Sequence, residues 1–288
     1  MRKEVNVALL ATILFLTSFG CSKKSSSDVA TINEFATSVI YATSLVDDYE
    51  CVIDINCKVN LPGGELAMGI KNDMKYQKEP FYADVTTYRY NTDKNPESES
   101  SRFIMEVKYG ERKDYLFYND EWYQEYNEVS DFHSAIEWVD VMANGLIFFK
   151  SCANLELVQK DDDYHGIIAD RYEGTISKDL LEPLMNSTGS TQLLGVNISR
   201  EYFENSSDQP ISICIDKNNV IVGYKMDLSE LSQGIFETVD KQNGISSENS
   251  IFRFEYHIVE AYVTSYDKGI DTTIPVEALS SPYVIIEN

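Results

Sequence analysis

Residues 49–60, Tyr-Glu-Cys-Val-Ile-Asp-Ile-Asn-Cys-Lys-Val-Asn, constrain this chain more than any other segment. Tyr49, Cys51, Ile53, Ile55, Cys57 and Val59 occupy every second position, and Glu50, Asp54, Asn56, Lys58 and Asn60 fill most of the places between them. Successive strand side chains point to opposite faces, so this period of two predicts a long antiparallel strand with one apolar and one wet face. Pro62-Gly63-Gly64 turns the chain, and Leu66, Met68, Ile70, Met74 and Tyr76 alternate back along a returning strand.

The same grammar recurs downstream. Strands are expected near 81–90, 102–109, 113–118 and 121–126, with Asn119-Asp120 as a tight hairpin turn and Asp93–Ser101, which carries Pro96, as an exposed loop. Further strands are expected at 155–159 and 164–176, joined across Lys160–Asp163. Others fall at 211–215 and 220–228, joined across Lys217-Asn218-Asn219, and a last one at 251–266 has Phe252, Phe254, Tyr256 and Ile258 on one side. The 19 Tyr and 13 Phe fit such pleated, half-buried surfaces.

Helical spacing interrupts the strands in three places. Val29, Ile32, Ala36 and Val39 form a stripe that starts at a Ser27 or Asp28 cap and ends near Tyr41–Leu45. Phe132, Ala135, Ile136, Val139, Met142 and Leu146 form a second stripe behind Asp131, ending in the wholly apolar run Leu146–Phe149. A short helix is expected over Lys178–Met185. Strands twist, so long consecutive ones must curl, and the apolar concave face needs a cover. The expected fold class is therefore α+β: a strongly curved antiparallel sheet, or incomplete β-barrel, with amphipathic helices over its concave face. Residues 29–288 are expected to form a single domain.

The first residues form an address. Arg2 and Lys3 precede a charge-free run from Val7 to Leu16, too short to span a bilayer, so residues 1–20 read as a signal peptide. Gly20-Cys21 resembles the end of the lipobox of bacterial lipoproteins, although Ser18 and Phe19 depart from its usual residues. The resemblance implies multiple acylation at Cys21. The expected location is then the extracytoplasmic face of the cell membrane, with the acyl chains as the membrane partner. Residues 21–28 lack apolar side chains and read as a flexible tether, with Lys23 and Lys24 near the headgroups. The formal charge of −23 repels phosphate backbones and excludes nucleic acid as a partner.

The lipidated Cys, the long strands, the aromatic hairpin Tyr115–Tyr123, the helix after it and the segment Ile270–Glu277 together resemble the LolA/LppX-like lipoproteins, in particular those of Gram-positive bacteria with this layout. The resemblance implies an incomplete barrel with helices as a lid and a cavity that takes acyl chains or another apolar ligand. Trp138, Phe148 and Phe149, on the element expected to cap the concave face, are the candidate ligand contacts. The rival expectation is an interaction or envelope-structural lipoprotein with a filled core and an acidic docking face; its protein partner is not legible.

No catalytic signature appears. His133, His165 and His257 share no ligand spacing, and each reads as structural or surface. Asp161-Asp162-Asp163 reads as a solvated turn, since it lacks the spaced ligands of a calcium loop. Cys51 and Cys57 lie too far apart along one strand to bond to each other, which leaves Cys152 and Cys214 as partners across the fold or all four as free thiols. Neither a cofactor nor an enzymatic activity is expected.

Overall fold

The alternating segments pair into one continuous sheet. In a computed structural model, which describes residues 26–61, 63–90, 98–127, 140–187, 203, 206–242, 244 and 253–283, the chain begins with helix α1 (Ser26–Leu45). Strands β1 (Asp48–Leu61), β2 (Gly64–Gln77), β3 (Phe81–Tyr90), β4 (Ser98–Lys108), β5 (Glu111–Tyr118) and β6 (Glu121–Asn127) then meander outward. Helix α2 (Val141–Ser151) leads into β7 (Cys152–Tyr164), β8 (Ile167–Ile176), α3 (Lys178–Ser187), β9 (Gln209–Asp216) and β10 (Ile221–Asp227). Helix α4 (Ser229–Gln242), β11 (Arg253–Tyr266) and the short α5 (Val276–Leu279) complete the order. The strands lie as β6-β5-β4-β3-β2-β1-β11-β10-β9-β8-β7, and each neighbouring pair is antiparallel. The edges β6 and β7 are not paired to each other, so the sheet is open. This is the curved, unclosed sheet with helices that the period of two requires.

The core lies on one face. Tyr49, Cys51 and Ile53 of β1 align with Met74 and Tyr76 of β2 on one side, and with Ala261 and Val263 of β11 on the other; all are buried. Helices α1 and α2 cover them. Phe148 of α2 meets Tyr224 edge-on at 4.9 Å, and Phe149 meets Phe35 of α1 at 6.4 Å. Gly145 permits the approach of α2, because a Cβ there would stand 3.0 Å from Ile221. The opposite, outer face carries a smaller core in which Ala278 of α5 packs on Tyr82, Ile104 and Tyr115 beside Trp122, Ile270 and Ile274. Gln124 of β6 fastens that strap: its Nε2 donates to the carbonyls of Ala278, Leu279 and Ser281, each at 3.0 Å.

Several expectations change. Residues 98–101 belong to β4, not to a loop. The Lys160–Asp163 turn is not made; β7 runs through it with a register shift between Gln159 and Asp162 and a positive φ of 51° at Asp161. The chain turns instead at His165 and Gly166, where Asp163 Oδ1 accepts the Gly166 N–H at 2.9 Å. A second irregularity, between Lys58 and Val59 against β11, places Phe254 and His257 on the side that meets α4, which a strict alternation with Tyr256 does not give. Helix α4 itself was not foreseen. The expected helix start at Asp131, and with it His133, lies outside the described residues. Cys51, Cys57, Cys152 and Cys214 are free thiols.

Candidate functional site

The apolar row on the helix-facing side of β1 and β2 is sealed at one end and open at the other. Tyr49, Cys51 and Ile53 are buried, Ile55 and Cys57 further along are half-buried, and Val59 next to the hairpin is buried again. On β2, Tyr76 and Met74 are buried, Ile70 is half-buried, and Met68 and Leu66 are 44% and 41% exposed. The register is unbroken between these strands, with Cys57 opposite Met68 and Val59 opposite Leu66, so all belong to one face. Near the β1–β2 hairpin the concave face is therefore open on its β2 side, where Leu66 and Met68 meet solvent.

The sealed end is held by a polar knot. Asp140 accepts the Tyr49 hydroxyl at 2.9 Å, the Tyr76 hydroxyl at 3.0 Å and the Ala143 N–H at 2.9 Å, so one carboxylate caps α2 and ties it to β1 and β2. The two tyrosine rings stack at 4.9 Å. Burial first, and the Asp140 charge second, push both phenols above their ordinary range, which keeps them neutral donors. Burial likewise raises the Cys51 thiol, so it is no thiolate nucleophile.

Helix α4 forms the wall on the β11 side of the open end. β10 stops at Asp227, and the first residues of β11 project beyond it without that strand as partner. Side chains of α4 take its place. The His257 N–H donates to Ser229 Oγ at 2.8 Å, and the Phe254 N–H donates to Gln233 Oε1 at 3.0 Å. Ser232 Oγ lies 2.7 Å from His257 Nδ1, and both residues are buried. Desolvation lowers the His257 pKa, opposed by the Asp227 charge. Phe236 of α4 packs on Phe254 at 5.3 Å.

A separate concavity of about 510 Å³ lies on the outer face, lined by Glu50, Val52, Asp73, Lys75, Thr86 and Arg102 among others. Arg102 grips Asp84 through two bonds of 2.8 and 2.7 Å, and Lys71 stands 3.4 Å from Asp73. It reads as the solvated side of the sheet between the C-terminal strap and the β7–β8 tip. Among the described residues no group of three His, Cys, Asp or Glu converges as a metal site, and no helix is long and apolar enough to cross a membrane.

Of the sequence-derived site residues, Cys21 and Trp138 lie outside the described residues. Phe148 and Phe149 lie in the packed core at 2% and 3% exposure. Leu66 and Met68 were read only as strand residues. The alternation marks their face but carries no sign of which end of that face stays uncovered.

No protein-family model and no curated protein matches the sequence. Solved structures are similar in layout. The lipoprotein LppX from Mycobacterium tuberculosis covers 83% of this chain and 97% of its own, at 12% identity and a TM-score of 0.44. LprF from Mycobacterium bovis covers 84% and 95%, at 9% identity and a TM-score of 0.43. A domain described as an outer membrane lipoprotein-sorting protein from Vibrio parahaemolyticus covers 83% and 93%, at 7% identity and a TM-score of 0.20. These are proteins of the kind the sequence layout resembles. At such scores the likeness is one of strand and helix order, and the chemistry of the site comes from this chain's own side chains.

Proposed function

We propose that the chain is a lipoprotein anchored through Cys21 at the extracytoplasmic face of the cell membrane, and that it binds an acyl chain or similar apolar ligand without catalysing a reaction. One observation carries the reading: the row that is buried at Tyr49, Ile53 and Met74 continues, in register, to Leu66 and Met68 at 41% and 44% exposure. Covering each of these side chains regains on the order of 1 kcal/mol. Ile55, Ile70 and the half-buried Cys57 extend the same surface inward. Trp138, Phe148 and Phe149 are retained as the inner lining that a long chain meets last. Burial holds the Tyr49 and Tyr76 phenols and the Cys51 thiol in their neutral forms, so none of the three serves as a nucleophile.

Native mass spectrometry of protein purified without detergent, followed by lipid extraction, tests this. Wild type is expected to carry acyl-lipid adducts that Leu66→Asp/Met68→Asp lacks. Adduct-free wild type that also refuses added fatty acid contradicts it.

A second reading, a filled-core lipoprotein that docks a cationic partner, draws support from the packing of Phe148 and Phe149 and from the charge of −23. Capture of one envelope protein, lost as salt screens the acidic face, favours it.

A further inference from the structure

We infer that α4 is the movable wall of the ligand mouth, and that the buried Ser232–His257 pair is its acid-sensitive latch, shut at neutral pH and released on acidification. The inference rests on the mouth proposed above, but the latch itself is defined by bonds within the described residues.

Helix α4 is docked by polar bonds as well as by apolar contacts. Its Ser229 and Gln233 satisfy the N–H groups of His257 and Phe254, which no strand reaches, and Leu228 N–H donates to the His257 carbonyl at 2.7 Å. Leu231 and Ile235 are its buried apolar anchors among the described residues, both joined to the main core, and Phe236 packs against Phe254. Lifting this helix uncovers the edge of the main core that Leu231 and Ile235 reach, and leaves the part beneath α1 and α2 in place. It sits where movement matters: His257 is paired with Cys57 of β1, and Cys57 with Met68 of β2, so the latch is two strands from the exposed apolar row.

The groups around the imidazole determine its response to protons. From α4 the Ser232 hydroxyl lies against its Nδ1, on β1 its register partner is Cys57, and on its own strand the Phe254 ring stands at 6.2 Å, while Ser229 Oγ accepts the His257 backbone N–H. Asp227 at the end of β10 is the charge that favours the imidazolium, but it is engaged by the Ser229 hydroxyl and N–H. A protonated ring would thus be a buried cation with a hydroxyl, not a carboxylate, against its nitrogen. Desolvation holds the His257 pKa below the ordinary value of 6.5 in the closed state. The open, hydrated state binds the proton more readily, so closure is fully favoured above that ordinary value and is lost as pH falls below it.

The test is hydrogen exchange of the full chain from about pH 7.5 to about pH 5, a span that brackets the ordinary histidine range, corrected for intrinsic exchange rates. Release of a preloaded fluorescent fatty acid is followed in parallel. Amides of 229–242 are expected to exchange several-fold faster at the acid end while those of β1 and β2 stay protected, with faster probe release. Ser232→Ala should raise α4 exchange already at neutral pH. His257→Gln, which keeps a hydrogen-bonding side chain but cannot charge, should remove the pH response of α4. Unchanged α4 exchange in wild type, or an undiminished response in His257→Gln, overturns the latch. An α4 that responds to pH in a protein that never binds the probe leaves the latch standing and refutes the mouth.

Discussion

The two ends of the concave face are built from the same two strands, yet they are finished in opposite ways. At the Tyr49 end a single carboxylate satisfies two tyrosine hydroxyls and the first turn of α2, and Cys51, Met74, Tyr76 and Phe81 beside them are buried. At the hairpin end the wall is a helix held by serine and glutamine side chains, and Leu66 and Met68 remain exposed. A protein with a uniformly filled interior would have no reason to finish one end apolar and open. On the proposed function, the first end serves folding stability and the second serves ligand access.

That assignment can be broken by mutation. The largest effect is expected for Asp140→Ala. It removes the α2 cap and strands two buried hydroxyls, costing about 3–4 kcal/mol in a urea-denaturation midpoint series. Gly223→Ala follows at about 2 kcal/mol, because a Cβ there would stand 2.4 Å from the Tyr164 ring and 2.6 Å from the Ala261 carbonyl. Gln124→Ala should cost about 1–2 kcal/mol and make the 276–283 strap accessible to limited proteolysis, since three carbonyls lose their donor. The smallest stability change belongs to Leu66→Asp and Met68→Asp, within about 0.5 kcal/mol. These two should nonetheless remove binding of a fluorescent fatty acid. If they unfold the protein as Asp140→Ala does, the distinction between the ends collapses.

The sheet was legible because period-two alternation is a direct readout of strand geometry. Tyr49–Asn60, Leu66–Tyr76 and the Asn119-Asp120 hairpin all lie where the alternation places them. Helix α4 was not legible for a physical reason. Its apolar stripe, Leu231, Ile235 and Val239, is narrow, and Ser229, Ser232 and Gln233 supply much of its docking through hydrogen bonds that no hydrophobic period reveals. The β7–β8 turn was misplaced because an acidic run resembles a solvated loop. The chain actually turns where His165 and Gly166 accept positive φ values, with Asp163 as the stabilising acceptor. The open end of the site was invisible for a third reason: exposure at Leu66 and Met68 depends on what fails to cover them, which no local pattern encodes.

Paramagnetic relaxation from a fatty acid spin-labelled near its carboxyl end tests the central claim most directly. With methyl-labelled protein, the account predicts strong broadening at Leu66, Met68, Ile55 and Ile70, with little at Val39 and Val141 near the sealed end. Broadening centred on the outer face, or none above that of a free label in solution, would contradict it.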